Sequence, residues 1–113
     1  MASDCLFCRI VRTEIPASII AENEHCLAFR DINAQAPVHI LVIPREHVAS
    51  LNDVKNPDVV TRLFSMAGQI ASSEGFAAAG YRAVINTNDD GGQTVHHLHL
   101  HLLAGRRMTW PPG

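Results

Sequence analysis

The stretch His96-His97-Leu98-His99-Leu100-His101-Leu102-Leu103 packs four of the chain's seven histidines into six residues. Read as a strand, its successive side chains point to opposite faces. His97, His99 and His101 then share one face at a spacing of roughly 6.5–7 Å, and Leu98, Leu100 and Leu102 share the other. A single histidine on a strand is ordinarily a satisfied, half-buried side chain. Three at period two, opposite an unbroken leucine face, instead specify a site lined with nucleophiles, proton carriers or metal ligands. The run leads into Leu102-Leu103-Ala104-Gly105 and a further tail, so it is not a cloning tag. His96 falls on the face away from the other three and is left out of the site.

Immediately upstream lies Asn88-Asp89-Asp90-Gly91-Gly92-Gln93-Thr94. Alone it would be an ordinary hairpin turn. Paired glycines also allow positive φ and close approach of backbone N–H groups to a ligand. Because the loop feeds straight into the histidines, its amides and the Thr94 hydroxyl are expected beside the imidazoles. Amides and imidazoles around one point suit a phosphoryl group.

Working outward, Ser3 or Asp4 can cap a short helix reaching about Arg12, with Leu6, Phe7 and Ile10 on its apolar side. Ile19–Glu22 and Cys26–Arg30 read as a strand pair turning at Asn23-Glu24, with Cys26 a buried strand residue. After a loop ending at Pro37, His39–Ile43 is a central strand closed by Pro44. Asn56 can cap a long helix with Pro57 at its first position and Gly75 at its end. Val59 or Val60, Leu63, Met66 or Ala67, and Ile70 recur on it at helical spacing. Tyr81–Asn86 and Val95–Leu103 complete the strands. The order is helix, three strands, helix, two strands, and antiparallel pairing with helices on one side predicts an α+β domain.

The 113 residues suit a single domain over 1–113 with a short tail at 106–113. Hydrophobic content of 47% with 18% charged residues fits a compact globule. The formal net charge of -2 argues against a nonspecific nucleic-acid surface. No apolar run approaches the roughly 20 residues that span a bilayer, and Met1-Ala2-Ser3-Asp4 lacks the features of a signal peptide. The expected location is cytoplasmic, and no membrane partner is expected. Three cysteines, an odd number, argue against a secreted disulfide scaffold.

The run His97-Leu98-His99-Leu100-His101-Leu102-Leu103 resembles the His-x-His-x-His-x-x signature of the histidine triad family. Phe29-Arg30-Asp31-Ile32, Gln35-Ala36-Pro37-Val38-His39, Val42-Ile43-Pro44, Gly91-Gly92-Gln93-Thr94 and Trp110-Pro111-Pro112-Gly113 resemble blocks of its nucleotide-binding, phosphoramidase branch. The resemblance covers essentially the whole chain. It implies a five-stranded antiparallel sheet with two helices, paired into a homodimer. It implies hydrolysis of the P–N bond of purine nucleoside 5′-phosphoramidates through a covalent nucleotidyl-histidine, releasing an amine and an AMP-like nucleotide.

Residue by residue, the resemblance makes His99 the nucleophile and places His101 and Thr94 at the phosphate and leaving group. His97 and His39 support the nucleophile. Asn86, Gly92 and Gln93 join the nucleotide-binding set around the phosphate, and Asp31 accepts hydrogen bonds from the ribose hydroxyls. Leu6, Phe7, Ile10, Phe29 and Ile32 form the apolar wall around the base. Trp110 would lie in the dimer contact or at the substrate rim. A neutral imidazole is a competent nucleophile, and covalent catalysis splits one hard cleavage into two easier displacements. No metal is required for catalysis in this scheme.

Cys5-Leu6-Phe7-Cys8 departs from the animal members of the branch and resembles many bacterial ones. Two thiols at this spacing form a standard zinc half-site, though they can also be plain structural thiols. By analogy with those bacterial relatives, His47 and His97 complete a structural zinc site. A redox motif fits less well, because no thioredoxin-like βαβ pattern surrounds it. Competing functions are hydrolysis of dinucleoside polyphosphates, a nucleotide-binding interaction or regulatory protein with incidental turnover, and a catalytic metal held by the three histidines. A DNA-end adenylate hydrolase fits least, for want of a nucleic-acid module and of positive charge.

Overall fold

Val38–Pro44, apolar at nearly every position, is the central strand of a five-stranded antiparallel sheet in the computed structural model, which describes residues 4–113. The strands are β1 (Ile19–Glu22), β2 (Cys26–Arg30), β3 (Val38–Pro44), β4 (Arg82–Val84) and β5 (Leu100–Ala104), in the order β1-β2-β3-β5-β4. Among the described residues three α-helices accompany them, one more than the two expected: α1 (Leu6–Val11), α2 (Asp58–Glu74) and the single turn α3 (Asn88–Gly91).

Side-chain parity divides the sheet into two faces. Cys26 and Ala28 of β2, Ile40 and Val42 of β3, and Leu100, Leu102 and Ala104 of β5 point to one face, where Leu98 joins them. They are covered by Val59, Leu63, Met66, Ala67, Ile70 and Ala71 of α2. This is the main core, and the period-3.6 stripe of α2 supplies six of its fifteen buried residues. Leu27, Phe29, Leu41 and Ile43 point to the other face, where α1 covers them with Phe7, Ile10 and the half-buried Val11, so α1 and α2 take opposite faces of the sheet rather than the one side expected. Six residues of helix cannot roof five strands, so this face keeps an open cleft.

The ends of α2 follow the sequence. Asn56 Oδ1 accepts from the Asp58 N–H at 3.0 Å, Pro57 opens the helix, and Gly75 closes it with φ +86°. The start of α1 differs. Its cap is Cys5, whose Sγ accepts from the Cys8 N–H at 3.4 Å, rather than Asp4. Ser3, the other candidate, lies outside the described residues.

Two strands are shorter than expected. β4 covers Arg82–Val84 within the predicted 81–86. The last strand begins at Leu100, not Val95, so His97 and His99 precede the ladder and only His101 lies in it. Register gives the cause. Val42 pairs with Leu100, so the next partners along β3 are Ile43 and Pro44, and Pro44 has no N–H to donate. The chain peels away there. The Leu98 N–H bonds to the Val48 carbonyl at 2.6 Å, and His97 Nε2 lies 2.9 Å from the Pro44 carbonyl. The alternation survives the loss of the ladder, because Leu98 stays in the main core while His97 and His99 stay on the cleft face.

The loop before the histidines is also not a plain hairpin turn. Asn88–Gly91 forms α3, closed by Gly92 at φ +81°. At the far end of β5, Gly105 (φ +92°) lies so close to Pro37 that an added Cβ would sit 2.7 Å from the proline ring. That contact docks the end of β5 beside the start of β3. The tail 106–113 contains no helix or strand, and Arg82 Nη2 donates to the Thr109 carbonyl at 2.8 Å. Among the described residues no helix is long and apolar enough to cross a membrane.

Candidate active site

The open face of the sheet holds a cleft of about 520 Å³. Its apolar wall comes from Leu6, Phe7 and Ile10 of α1, the following segment Ile15-Pro16-Ala17, Phe29 of β2 and Leu41 of β3. Its polar end holds Asp31, Asn33, Thr94, His99 and His101, and Arg30 and Ser18 also border it. Ile32 stands fully exposed at the rim. Apolar walls with a few convergent polar groups at one end are the usual form of a small-molecule site.

The hydrogen bonds fix the protons on the imidazoles, because a carbonyl oxygen or a backbone N–H can play only one role. His99 Nδ1 lies 2.7 Å from the His97 carbonyl, so Nδ1 carries the hydrogen and Nε2 keeps a free lone pair. Phe7 stands edge-on to this ring at 5.2 Å with an interplanar angle of 90° and limits its rotation. His39 Nδ1 accepts from the Gln35 N–H at 3.0 Å, so the hydrogen of the neutral ring is on Nε2. That Nε2 lies 2.9 Å from His101 Nδ1 and 3.4 Å from Asp31 Oδ2. His101 Nδ1 therefore accepts, and its own hydrogen sits on Nε2. Asp31 is held from both sides, since its Oδ1 also accepts from the Asn33 N–H at 2.8 Å.

Burial keeps these rings neutral. Desolvation lowers the pKa of His99, against the partial opposition of its bond to the His97 carbonyl and of the Asp31 charge. Desolvation, with the neighbouring His99 and His39, lowers His101 to about 4. Desolvation also lowers His39, again opposed by Asp31. A neutral His99 with an unshared Nε2 pair can attack an electrophile. The N–H of His101 and the hydroxyl of Thr94 can donate to what leaves.

His97 serves a second cluster. Its Nε2–H donates to the Pro44 carbonyl, so Nδ1 presents a lone pair to Cys5 Sγ at 3.4 Å and Cys8 Sγ at 3.5 Å. His47 Nδ1 lies 3.3 Å from Cys8 Sγ. The ligand atoms of Cys5, Cys8, His47 and His97 all lie within 4.8 Å of one another. Usual zinc–sulfur and zinc–nitrogen distances in a tetrahedron put sulfur and nitrogen about 3.5 Å apart. The donor set fits a zinc ion in number, type and spacing, and the His97 bond to a carbonyl is the outer contact that orients a ligating imidazole. Burial, with the adjacent Cys5, pushes the Cys8 thiol up, so a bound cation is what would deprotonate it.

Of the residues expected at the nucleotide, Leu6, Phe7, Ile10, Phe29, Asp31, Ile32, Thr94, His99 and His101 line the cleft. His39 stands behind His101, and His97 belongs to the thiol cluster. Asn86, Gly92 and Gln93 lie outside the lining. The glycine-loop amides expected beside the imidazoles are spent within α3: the Gly92 N–H on the Asp89 carbonyl and the Gln93 N–H on the Asn88 carbonyl. Gln93 is buried as a clamp, donating to the Ala49 and Val95 carbonyls and accepting from the Asn88 N–H. His96, excluded from the site, is exposed and does not line the cleft. Sequence reasoning missed Ile15, Pro16, Ala17 and Leu41, whose only signal was apolarity. It also missed Asn33, whose amide holds Asp31.

The HIT domain family matches residues 12–108. The purine nucleoside phosphoramidase of Escherichia coli K12 is 45% identical over 110 residues, covering 96% of this chain and 92% of its own. A HIT family hydrolase from Legionella pneumophila superposes with a TM-score of 0.94 at 51% identity, over 97% of this chain and all of its own. A histidine triad nucleotide-binding protein from Candida albicans gives 0.84 at 27% identity, over 96% and 83%.

Proposed function

This chain belongs to the HIT domain family, as a relative of its hydrolases, and from that premise we propose that it hydrolyses the P–N bond of purine nucleoside 5′-phosphoramidates. The observation that carries the reading is the tautomer of His99, whose Nδ1–H is given to the His97 carbonyl while Nε2 stays unprotonated in the cleft. Nε2 attacks the phosphorus and the P–N bond breaks. The amine takes a proton from solvent as it departs, hydrogen-bonded by the His101 N–H and the Thr94 hydroxyl, and the second step returns a proton to solvent. Water then attacks the same phosphorus, the P–N bond to His99 breaks, and the nucleoside monophosphate leaves with the imidazole neutral again. The base lies against Leu6, Phe7, Ile10, Phe29 and Ile32. The ribose hydroxyls donate to Asp31, a charged acceptor of the stronger kind.

Two further features belong to the reading. A structural zinc ion, held by Cys5, Cys8, His47 and His97, ties α1 to the histidine segment; when bound it supplies cross-linking, not catalysis. The working form is a homodimer. Support comes from the exposed edge of β4 and from large apolar side chains left in solvent, Tyr81, Phe64 and Trp110 among them. Free thiols in such a cluster suit the reducing cytoplasm.

The test compares turnover of adenosine 5′-phosphoramidate with that of a diadenosine polyphosphate, using wild type and His99→Ala. Preference for the phosphoramidate, loss of several orders of magnitude in His99→Ala, and a nucleotidyl adduct on His99 by mass spectrometry are expected. Near-normal turnover by His99→Ala ends the proposal, and preference for the polyphosphate moves the chain to another branch.

A further inference from the structure

Gln93 is buried and lies outside the lining of the cleft, yet the residue that follows it is Thr94, which lines the cleft and offers its hydroxyl to the departing amine. Every polar group of the Gln93 side chain is engaged. Nε2 donates to the Ala49 carbonyl at 2.8 Å and to the Val95 carbonyl at 3.1 Å, and Oε1 accepts from the Asn88 N–H at 2.9 Å. The bond to Val95 passes over Thr94 and closes a ring that contains its whole backbone. Thr94 itself is exposed, and among the described residues no hydrogen bond from another group holds its side chain. We infer that Gln93 is a positioning residue for the leaving-group side of the reaction: its amide fixes the backbone on either side of Thr94 and so aims the Thr94 hydroxyl at the amine nitrogen. The inference rests on the proposed P–N cleavage and on Thr94 as a donor to the amine.

The anchor that Gln93 grips is itself fixed. Ala49 ends the segment His47-Val48-Ala49. His47 Nδ1 lies 3.3 Å from Cys8 Sγ, and the Val48 carbonyl accepts from the N–H of Leu98, the neighbour of His99, at 2.6 Å. One three-residue segment therefore meets both the histidine run and, through Gln93, the threonine. On the other side of Thr94, Val95 packs against the second core. The placement of donor relative to nucleophile matters because, in a displacement at phosphorus, the attacking and leaving atoms lie on opposite sides of it. A hydrogen bond that strengthens as the P–N bond lengthens needs its donor in place beforehand. Threonine suits this arrangement. A β-branched side chain on a fixed backbone has few open χ1 positions, so holding the backbone holds the hydroxyl. Without the Gln93 amide, the Ala49 and Val95 carbonyls lose this donor, the chain around Thr94 is released from segment 47–49, and the hydroxyl is aimed less often at the amine. Gln93 acts only through Thr94, because it does not line the cleft.

Two measurements test this. The first uses Gln93→Met, which keeps the length and bulk of the side chain and removes its donors. It reads the single-turnover rate of nucleotidyl transfer at saturating substrate. With an alkylamine phosphoramidate of adenosine, whose basic amine is a poor leaving group, the rate should fall about tenfold or more, as when one hydrogen bond of ordinary net strength is lost from the transition state. With the 4-nitrophenyl ester of AMP, whose leaving group departs without help, it should fall less than about threefold. In Thr94→Val the same Gln93→Met change should slow the amine substrate less than about threefold further, since the donor it places is already gone. Equal losses with both substrates, the mark of a merely structural role, would overturn the inference. So would a further loss of about tenfold in Thr94→Val, which would mean that Gln93 acts without the threonine. The second measurement needs no variant and no turnover. Three-bond couplings of Thr94 in the ligand-free wild type should report one χ1 rotamer, and averaged rotamers would also overturn it. Failure of the wild type to cleave the phosphoramidate would refute the proposed reaction, while the couplings would still judge the clamp.

Discussion

His101 contributes an acid-sensitive component of stability with a definite sign. Its pKa is lowered from the ordinary histidine value of 6.5 to about 4 in the fold. Between those values the unfolded chain takes up a proton that the folded chain refuses, so stability falls as pH drops through the window and levels off below about 4. The slope is at most about 1.4 kcal/mol per pH unit for one such group, less for a ring that is only partly buried. Urea unfolding at pH 7, 6, 5 and 4.5 should show a shallower loss in His101→Gln than in wild type. Equal slopes would mean that other groups carry the acid sensitivity. At this scale the sequence was most legible for His99, His101, Asp31 and Thr94, which carry distinctive chemistry. It was least legible for Gln93, which shares a motif with Thr94. Its side-chain amide is consumed by the carbonyls of Ala49 and Val95, one of them 44 positions away. No local pattern announces such a partner.

Among the elements, α1 is the one that cannot stand alone. Six residues fall well short of the length at which an isolated helix persists in water. What holds α1 is Phe7 and Ile10 in the second core and the thiol–imidazole cluster that joins Cys5 and Cys8 to His97. Protein purified without chelator should contain about one zinc per chain. Cys5→Ser with Cys8→Ser should lower the melting temperature by more than it lowers initial turnover at a low assay temperature. Zinc well below one per chain in fully reduced protein would leave the two thiols with a packing role only. Strands β1 and β2 and helix α2 were readable because their signals are local: alternation, a polar turn, an asparagine cap, a terminal glycine. The start of β5 was not. Its limit depends on Pro44, which lies more than fifty residues earlier and stops the ladder only once the register is known. α3 was hidden because Asn88-Asp89-Asp90-Gly91 has the composition of a turn, and one helical turn carries no periodicity.

At the scale of the whole molecule, the two sheet faces are unequal. One is sealed by the seventeen residues of α2, the other is left partly open as the cleft. Among the described residues both sheet edges, β1 and β4, have no neighbouring strand on their outer side. A homodimer that covers the β4 edge should sediment at about twice the 12.3 kDa chain mass. An active species that stays monomeric at micromolar concentration would refute it. Fold class was readable from the order of elements alone, whereas the strand order β1-β2-β3-β5-β4 was not, because parity and length do not say where the last strand goes. That position has a consequence in time. β5 is the last of these five strands to leave the ribosome, yet it lies between β3 and β4 and brings the imidazoles with it. Until it arrives, β4 has no partner, α1 has no His97 to hold, and the main core lacks Leu98, Leu100 and Leu102. A nascent chain halted before Val95 therefore has neither a complete sheet nor His99. Closure of the sheet and completion of the cleft become a single late event, and a partly made chain lacks the imidazoles on which the proposed chemistry depends.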